Sequence, residues 1–182
     1  MKSFIPNIRH FSVVFAALLT LGYAHASDPA QSAKDDWEKA RFDYASGRYD
    51  EAMARFSIFA ASGFIEASHV LGVIYEDGKA VPRSMTMAMR YFECAAKNGY
   101  PQSQVRIAYH LMRTPEVKRD QARAYFWSAL AASSQTADQE LRQFAIKLRE
   151  SAAKHVDQAT LVQLENELAR WTPTKQPCYF RP

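Results

Sequence analysis

Only a few side chains in this sequence have types and spacings that could do chemistry. Ser151-Ala-Ala-Lys154 places a serine and a lysine one helical turn apart, where the amine could take the hydroxyl proton and make a nucleophile. The same class of enzyme also needs Ser-Asp-Asn and Lys-Thr-Gly, and neither string is present. A two-position match arises about once by chance in a chain of this composition. His69, His110 and His155 lack the His-Glu-x-x-His or paired spacing that brings two imidazoles to one metal, so they read as surface or partly buried histidines. Asp35, Asp36 and Glu38 read as a solvated first helical turn that complements the helix dipole, not as an acid/base pair. Two cysteines, Cys94 and Cys178, allow one disulfide at most and cannot make a structural zinc site. There is no Gly-x-Gly-x-x-Gly string and no phosphate loop. The expectation is no catalytic residue, no metal and no cofactor.

The elements that would position these residues follow from composition and periodicity. A chain of 182 residues with 48% hydrophobic, 13% aromatic and 23% charged side chains suits an ordered globular protein. Its 6 Gly and 8 Pro are too few for a sandwich or barrel of many short strands, which leaves long elements, chiefly helices. Residues 1–26 read as a cleavable secretory signal: Lys2 and Arg9 are basic, Phe11 to Tyr23 is apolar, and Ala24-His-Ala26 fits the small-x-small rule, with cleavage before Ser27. An uncleaved anchor is disfavoured because those 13 apolar residues would rise only about 20 Å against a hydrocarbon core of roughly 30 Å. No cysteine lies near the cleavage point, which argues against a lipoprotein. Losing Lys2 and Arg9 takes the formal charge from +4 to +2 on a mature chain of 156 residues. That balance offers no basic patch for nucleic acid and no stable membrane span once the signal is gone.

Residues 27–33 read as a short leader, and apolar periodicity starts at about Lys34. From there the chain repeats itself. Counting from Val81, the positions Ser84, Met87, Ala88, Tyr91, Phe92, Ala95, Ala96 and Gly99 correspond to Asp120, Arg123, Ala124, Trp127, Ser128, Ala131, Ala132 and Gln135 counted from Val117, a register of 36 residues. Shifted the other way, the register reaches Ala52, Arg55, Phe56, Phe59, Ala60 and Gly63. Ala at i and i+8 with an aromatic at i+4 lies on one helix face, where the small residues admit a neighbouring helix and the ring fills the gap. Gly72 falls inside a helix, which suggests that another backbone crosses there. The spacing predicts antiparallel helix pairs at about 34–46 with 49–62, 64–76 with 84–98, 101–113 with 119–134, and 137–154 with 157–171. Residues 34–135 form the repeat region, 136–171 a more polar capping pair, and 172–182 an extended tail. Phe56, Phe92, Phe126 and Trp127 are expected in the core.

The string Ala67-x-x-x-Leu71-Gly72-x-x-Tyr75-x-x-Gly78-x-x-Val81, followed by Ala88-x-x-Tyr91-Phe92-x-x-Ala95-Ala96-x-x-Gly99, resembles the Sel-one-like repeat (SLR), a relative of the tetratricopeptide repeat. The first pair, with Ala40, Gly47, Tyr49, Ala52 and Phe56, is closer to the tetratricopeptide form, and departs from it at Asp43, where an aromatic is usual. Further departures are Ala80 in place of the second loop glycine, Ser84 in place of an acid, Met87 in place of a basic residue, and Thr114-Pro115 in place of the third unit's loop glycine. The resemblance implies an all-α fold, an α-solenoid of about four antiparallel helix pairs in a right-handed superhelix. It implies a protein-interaction or adaptor scaffold, in bacteria often within the envelope.

If the first helix of each pair lines the concave side, as the tetratricopeptide relation implies, the partner-binding residues are Trp37, Arg41, Tyr44, His69, Glu76, Gln102, Tyr109 and Arg113. Lys34, Val73, Val105 and Met112 stand beside them. Aromatics with mixed charges suit an extended peptide or a partner's helix, although any exposed amphipathic face carries a similar mixture. Cys94 occupies a repeat position that is usually exposed and polar. Seven residues from Trp171 to Cys178 span about 23 Å, so a Cys94–Cys178 bridge and two free thiols both stand as alternatives. Some cysteine-rich secreted SLR proteins are penicillin-binding or β-lactamase-like, but they carry a disulfide in each repeat, a pattern missing here. The expected function is a periplasmic or secreted scaffold that holds an envelope protein or extended peptide. The alternative is a cell-wall-directed penicillin-binding or β-lactamase-like hydrolase built on Ser151 and Lys154.

Overall fold

The computed structural model describes residues 29–178 and residue 180, so the signal segment and the start of the leader lie outside the described residues. Among the described residues the regular structure is eight helices: α1 (Pro29–Ala45), α2 (Tyr49–Ala61), α3 (Ile65–Asp77), α4 (Met85–Lys97), α5 (Pro101–Arg113), α6 (Gln121–Ser133), α7 (Gln139–Ala153) and α8 (Gln158–Arg170). The chain divides into two compact units, with the boundary after Asp36. The described part of the first is the exposed opening of α1; the second holds the core. The fold class is an all-α solenoid of repeats.

Starts of α2, α4 and α6 are spaced by 36 residues, as are those of α3 and α5, so the sequence register is the structural one. Two kinds of joint produce it. Between the tight pairs a glycine closes the outgoing helix: Gly63 and Gly99 adopt φ of 88° and 90°, and the following N–H reaches back to Phe59 O at 2.9 Å and Ala95 O at 3.1 Å. The longer joints end on a side-chain cap instead. Ser84 Oγ accepts from Met87 N–H at 3.3 Å before α4, and Asp120 Oδ1 from Arg123 N–H at 2.9 Å before α6. Asp138 and Asp157 cap α7 and α8 in the same way.

Three differences from the sequence reading have physical causes. Helix α1 begins at Pro29, inside the expected leader, because proline suits the first helical position and Ala30 and Ala33 are strong helix formers. Asp35, Asp36 and Glu38 therefore sit beyond the first turn; Asp35 accepts from Gln31 Nε2 at 2.7 Å, and Glu38 faces Arg41 at 3.4 Å. At Gly72 the close neighbour is a side chain, not a crossing backbone: a Cβ there would stand 2.5 Å from Phe92 Cε1. The last two helices do not form an antiparallel pair either. Both α7 and α8 pack on α6, because α7 spends its small apolar stripe, Ala145, Leu148 and Ala152, in the core and presents a polar outer face. Helix α8 returns along α6, where the Tyr125 hydroxyl donates to Glu165.

That return places the extended tail beside α4. Cys94 and Cys178 are joined by a disulfide across 84 residues of sequence. Phe56, Phe92 and Trp127 are buried in the core, whereas Phe126 packs at its edge.

Two substitutions test this packing. Alanine is the better helix former by about 1 kcal/mol, yet Gly72→Ala should destabilise the protein by about 1–3 kcal/mol because the fully buried Phe92 ring cannot yield. Urea unfolding measures this, and adding Phe92→Leu should recover part of the loss. Ala80 holds a left-handed φ of 66°, so Ala80→Gly should stabilise by about 0.5–1 kcal/mol in the same assay.

Candidate functional site

Helices α3 and α5 are the first helices of consecutive pairs, so equivalent positions on them face alike. Between them runs a polar seam. His69 Nδ1 lies 2.9 Å from Ser103 Oγ, and the imidazole packs against Phe92 and Tyr100 with centroids 5.6 and 5.2 Å away. Two turns further along α3, both carboxylate oxygens of Glu76 accept from Arg106 Nη1 at 2.9 Å. His110 Nε2 stands 3.3 Å from Glu76 Oε1, and its Nδ1 is 2.7 Å from Thr114 Oγ1. The His110 ring stacks on Phe92 at 15°. Arg83 extends the seam, donating to the Glu76 carbonyl and to Glu116, each at 3.0 Å.

The electrostatics follow from burial. His69 is pushed down to about 4, first because its charged form would lose water and then because Arg106 repels it, with Glu76 acting weakly the other way. Burial raises the Glu76 carboxyl, but His110 and Arg106 outweigh it and hold the group below the usual range. The seam is therefore a neutral imidazole at one end and an anchored carboxylate at the other. It ties α3 to α5 and offers no open nucleophile, since Ser103 is fully buried.

The eight residues expected at the partner face divide into groups. His69 and Glu76 are committed to the seam. Gln102, Tyr109 and Arg113 line α5 beside it; Tyr109 keeps 43% of its surface exposed, Arg113 is exposed, and Gln102 is half-buried. Arg41 is exposed on α1 and pairs with Glu38. Trp37 and Tyr44 fold back on their own pair: the indole meets Phe56, Phe59 and Phe64 at 5.3, 5.2 and 4.5 Å, and Tyr44 meets Tyr49 and Lys79. Their place is in the packing of α1, because α2 and the following turn supply the apolar surface that a partner would otherwise provide.

Sequence reasoning missed Ser103 and Arg106, whose partners lie 34 and 30 residues away. It also missed the role of Asp43. That buried carboxylate accepts from Arg48 Nη2 at 2.5 Å and Nε at 3.0 Å, and from Arg55 Nε at 3.1 Å. The Arg48 hydrogen bond, aided by Arg55, holds it below the usual carboxylate range. Charge here takes the place of the ring stacking that an aromatic would give. The signal was available, as an acid at an aromatic position needs cations nearby.

Ser151 is half-buried in the last turn of α7 and Lys154 is that helix's exposed C-cap. The negative end of the helix dipole opposes an alkoxide or oxyanion at this place. Among the described residues no group of three or more His, Cys, Asp or Glu could hold a metal, and no helix is long and apolar enough to cross a membrane.

The seam-bearing region is also the part of the chain that known proteins identify. Residues 65–100 and 101–135 each match the Sel1 repeat, so the chain contains two Sel1 repeats, α3–α4 and α5–α6. Residues 36–64 lie outside the matched span. Among solved structures the chain is similar to a protective antigen present in uropathogenic Escherichia coli strains displaying an SLR fold, with a TM-score of 0.66 and 21% identity. That likeness covers 76% of this chain and 29% of the antigen's, so the chain spans less than a third of that protein's length. No curated protein gives a significant match. The likeness to the antigen shows the fold, and the Sel1 repeats point to a helical scaffold for protein–protein contact.

The seam has a measurable pH signature. An unfolded histidine takes its proton near pH 6.5, whereas folded His69 takes it only at about 4. Between these values the unfolded state binds more protons, so His69 contributes stability above about 6.5 that is lost as pH falls toward 4 and stays level below. The loss should be roughly 3 kcal/mol, and urea midpoints across this range should fall less steeply in His69→Gln.

Proposed function

We propose that this protein is a periplasmic scaffold that holds an extended peptide or a helix of an envelope protein along α5, with α3 as its support. The observation that carries this reading is the Glu76–Arg106–His110 seam. It fixes two Sel1 repeats against each other and so sets Gln102, Tyr109 and Arg113 on a firm edge. Tyrosine and arginine are the usual anchors of such surfaces, since each gives large contact area with one polar tip. A disulfide supports an oxidising compartment, and residues 1–26 support export. The edge is a binding surface without catalytic groups.

A photoreactive residue at position 109, expressed in the native bacterium, should crosslink one envelope protein, and Arg113→Ala should reduce that product several-fold. The same probe at Lys147, exposed on α7, should give none. Equal crosslinking from both positions would reject the α5 edge, and recovery of the mature chain outside the osmotic-shock fraction would reject the periplasm. A fluorescent penicillin should leave the protein unlabelled. Labelling that disappears in Ser151→Ala would replace the scaffold with the hydrolase.

A further inference from the structure

The two sulfurs of the disulfide are not shielded alike. Cys178 is 1% exposed, whereas Cys94 is half-buried and lines an open cavity of about 320 Å³ between α4 and the tail. Thiol–disulfide exchange starts when a thiolate attacks one sulfur, so access directs the attack to Cys94. The cavity also carries charge. Arg90 stands four residues before Cys94 and Lys97 three after, one helical turn to either side, and both are exposed and line the cavity. Among the described residues no ion pair holds either cation. Arg90 instead lies over the Phe180 ring at 4.7 Å and donates to Met87 Sδ at 3.8 Å. Glu93, the acid lining the cavity, is committed to Arg123 at 2.9 Å. Asn98 Nδ2 stands 3.8 Å from both sulfurs, a positive dipole end beside whichever thiolate leaves.

We infer that Cys94, with Arg90 and Lys97, is an exchange site for an anionic low-molecular-weight thiol, and that exchange there unlatches the tail from α4. The thiolate of the small thiol attacks Cys94 Sγ, and the electron pair of the disulfide leaves on Cys178, which takes a proton from solvent. Attack by a second thiol molecule on the mixed disulfide then frees Cys94 and yields the small thiol's own disulfide. Two thiols are oxidised for one protein disulfide reduced, so atoms and electrons balance. Arg90 and Lys97 attract the carboxylates of the incoming thiol and offset the charge that builds on the sulfurs. Three contacts hold the tail apart from the disulfide. Asn98 Oδ1 accepts from Gln176 N–H at 2.7 Å, Thr174 N–H donates to Lys97 O at 3.0 Å, and the Phe180 ring meets Tyr91 edge-on at 4.9 Å. Exchange therefore turns a covalent hold into a reversible one, and the latch closes again when the small thiol is withdrawn.

The oxidised protein with glutathione, and with 2-mercaptoethanol as an uncharged thiol, provides the test. After acid quench, alkylation and non-reducing trypsin digestion, glutathione should lie on peptide 91–97 and the alkyl group on peptide 176–182. The reverse distribution, or no adduct in native buffer, would overturn the inference. The ratio of the glutathione rate to the 2-mercaptoethanol rate should fall by about threefold for each cation removed in Arg90→Gln and Lys97→Gln. It should fall likewise in the unsubstituted protein as salt rises to about 1 M. Both side chains are exposed, and the salt series needs no variant; a ratio indifferent to the substitutions and to salt would remove the anionic thiol. Limited trypsin should cut the glutathione adduct after Lys175 several-fold faster than the oxidised protein, and equal cutting would refute the unlatching.

Discussion

The contact on which most of this structure depends is that of the Phe92 ring with the bare backbone of Gly72. The ring is fully buried, and no Cβ at position 72 could coexist with it. Ala88 and Ala96, one turn to either side of Phe92 on α4, are also fully buried, so small residues bracket one large one and α3 can lie close. The same ring meets both His69 and His110. A core contact therefore fixes two imidazoles that belong to the polar seam, and their positions decide where Ser103, Glu76 and Thr114 find partners. Packing comes first here, and the charges follow from it.

This order explains what was legible in the sequence. The register of 36 residues is a packing register, carried by Ala, Phe and Gly at fixed offsets, and it located α2 to α6 almost to the residue. Where packing does not write the sequence, the reading failed. The first turn of α1 has no apolar stripe, so only helix propensity marks it. The route of α8 depends on what α7 has left uncovered, and α8's own pattern cannot show that. Ser103 and Arg106 belong to pairs set by the distance between helices, which appears only when two repeats are stacked. Trp37 and Tyr44 hold positions equivalent to surface residues of later repeats, but Phe56, Phe59 and Phe64 surround the first and Tyr49 and Lys79 meet the second. Equivalent positions in a repeat share a direction without sharing an environment.

Repeat proteins hold together through nearest neighbours, so their last repeat has an open face that must be covered. Here α7 and α8 cover α6, and the tail then reaches past the neighbouring repeat to α4, where the disulfide closes a loop of 84 residues. Closing a loop of that length removes about 4–5 kcal/mol of denatured-state freedom in the chain-entropy view. Helices α4 to α8 thus form a covalently closed set, whereas α1 to α3 are held by packing and charge alone. The α5 edge belongs to the closed set, and its support on the other side is α3, reached through Phe92 on Gly72 and through the Glu76–Arg106 pair. A partner pressing on Tyr109 and Arg113 would load that junction, which places the seam where a scaffold of stacked repeats most needs stiffness.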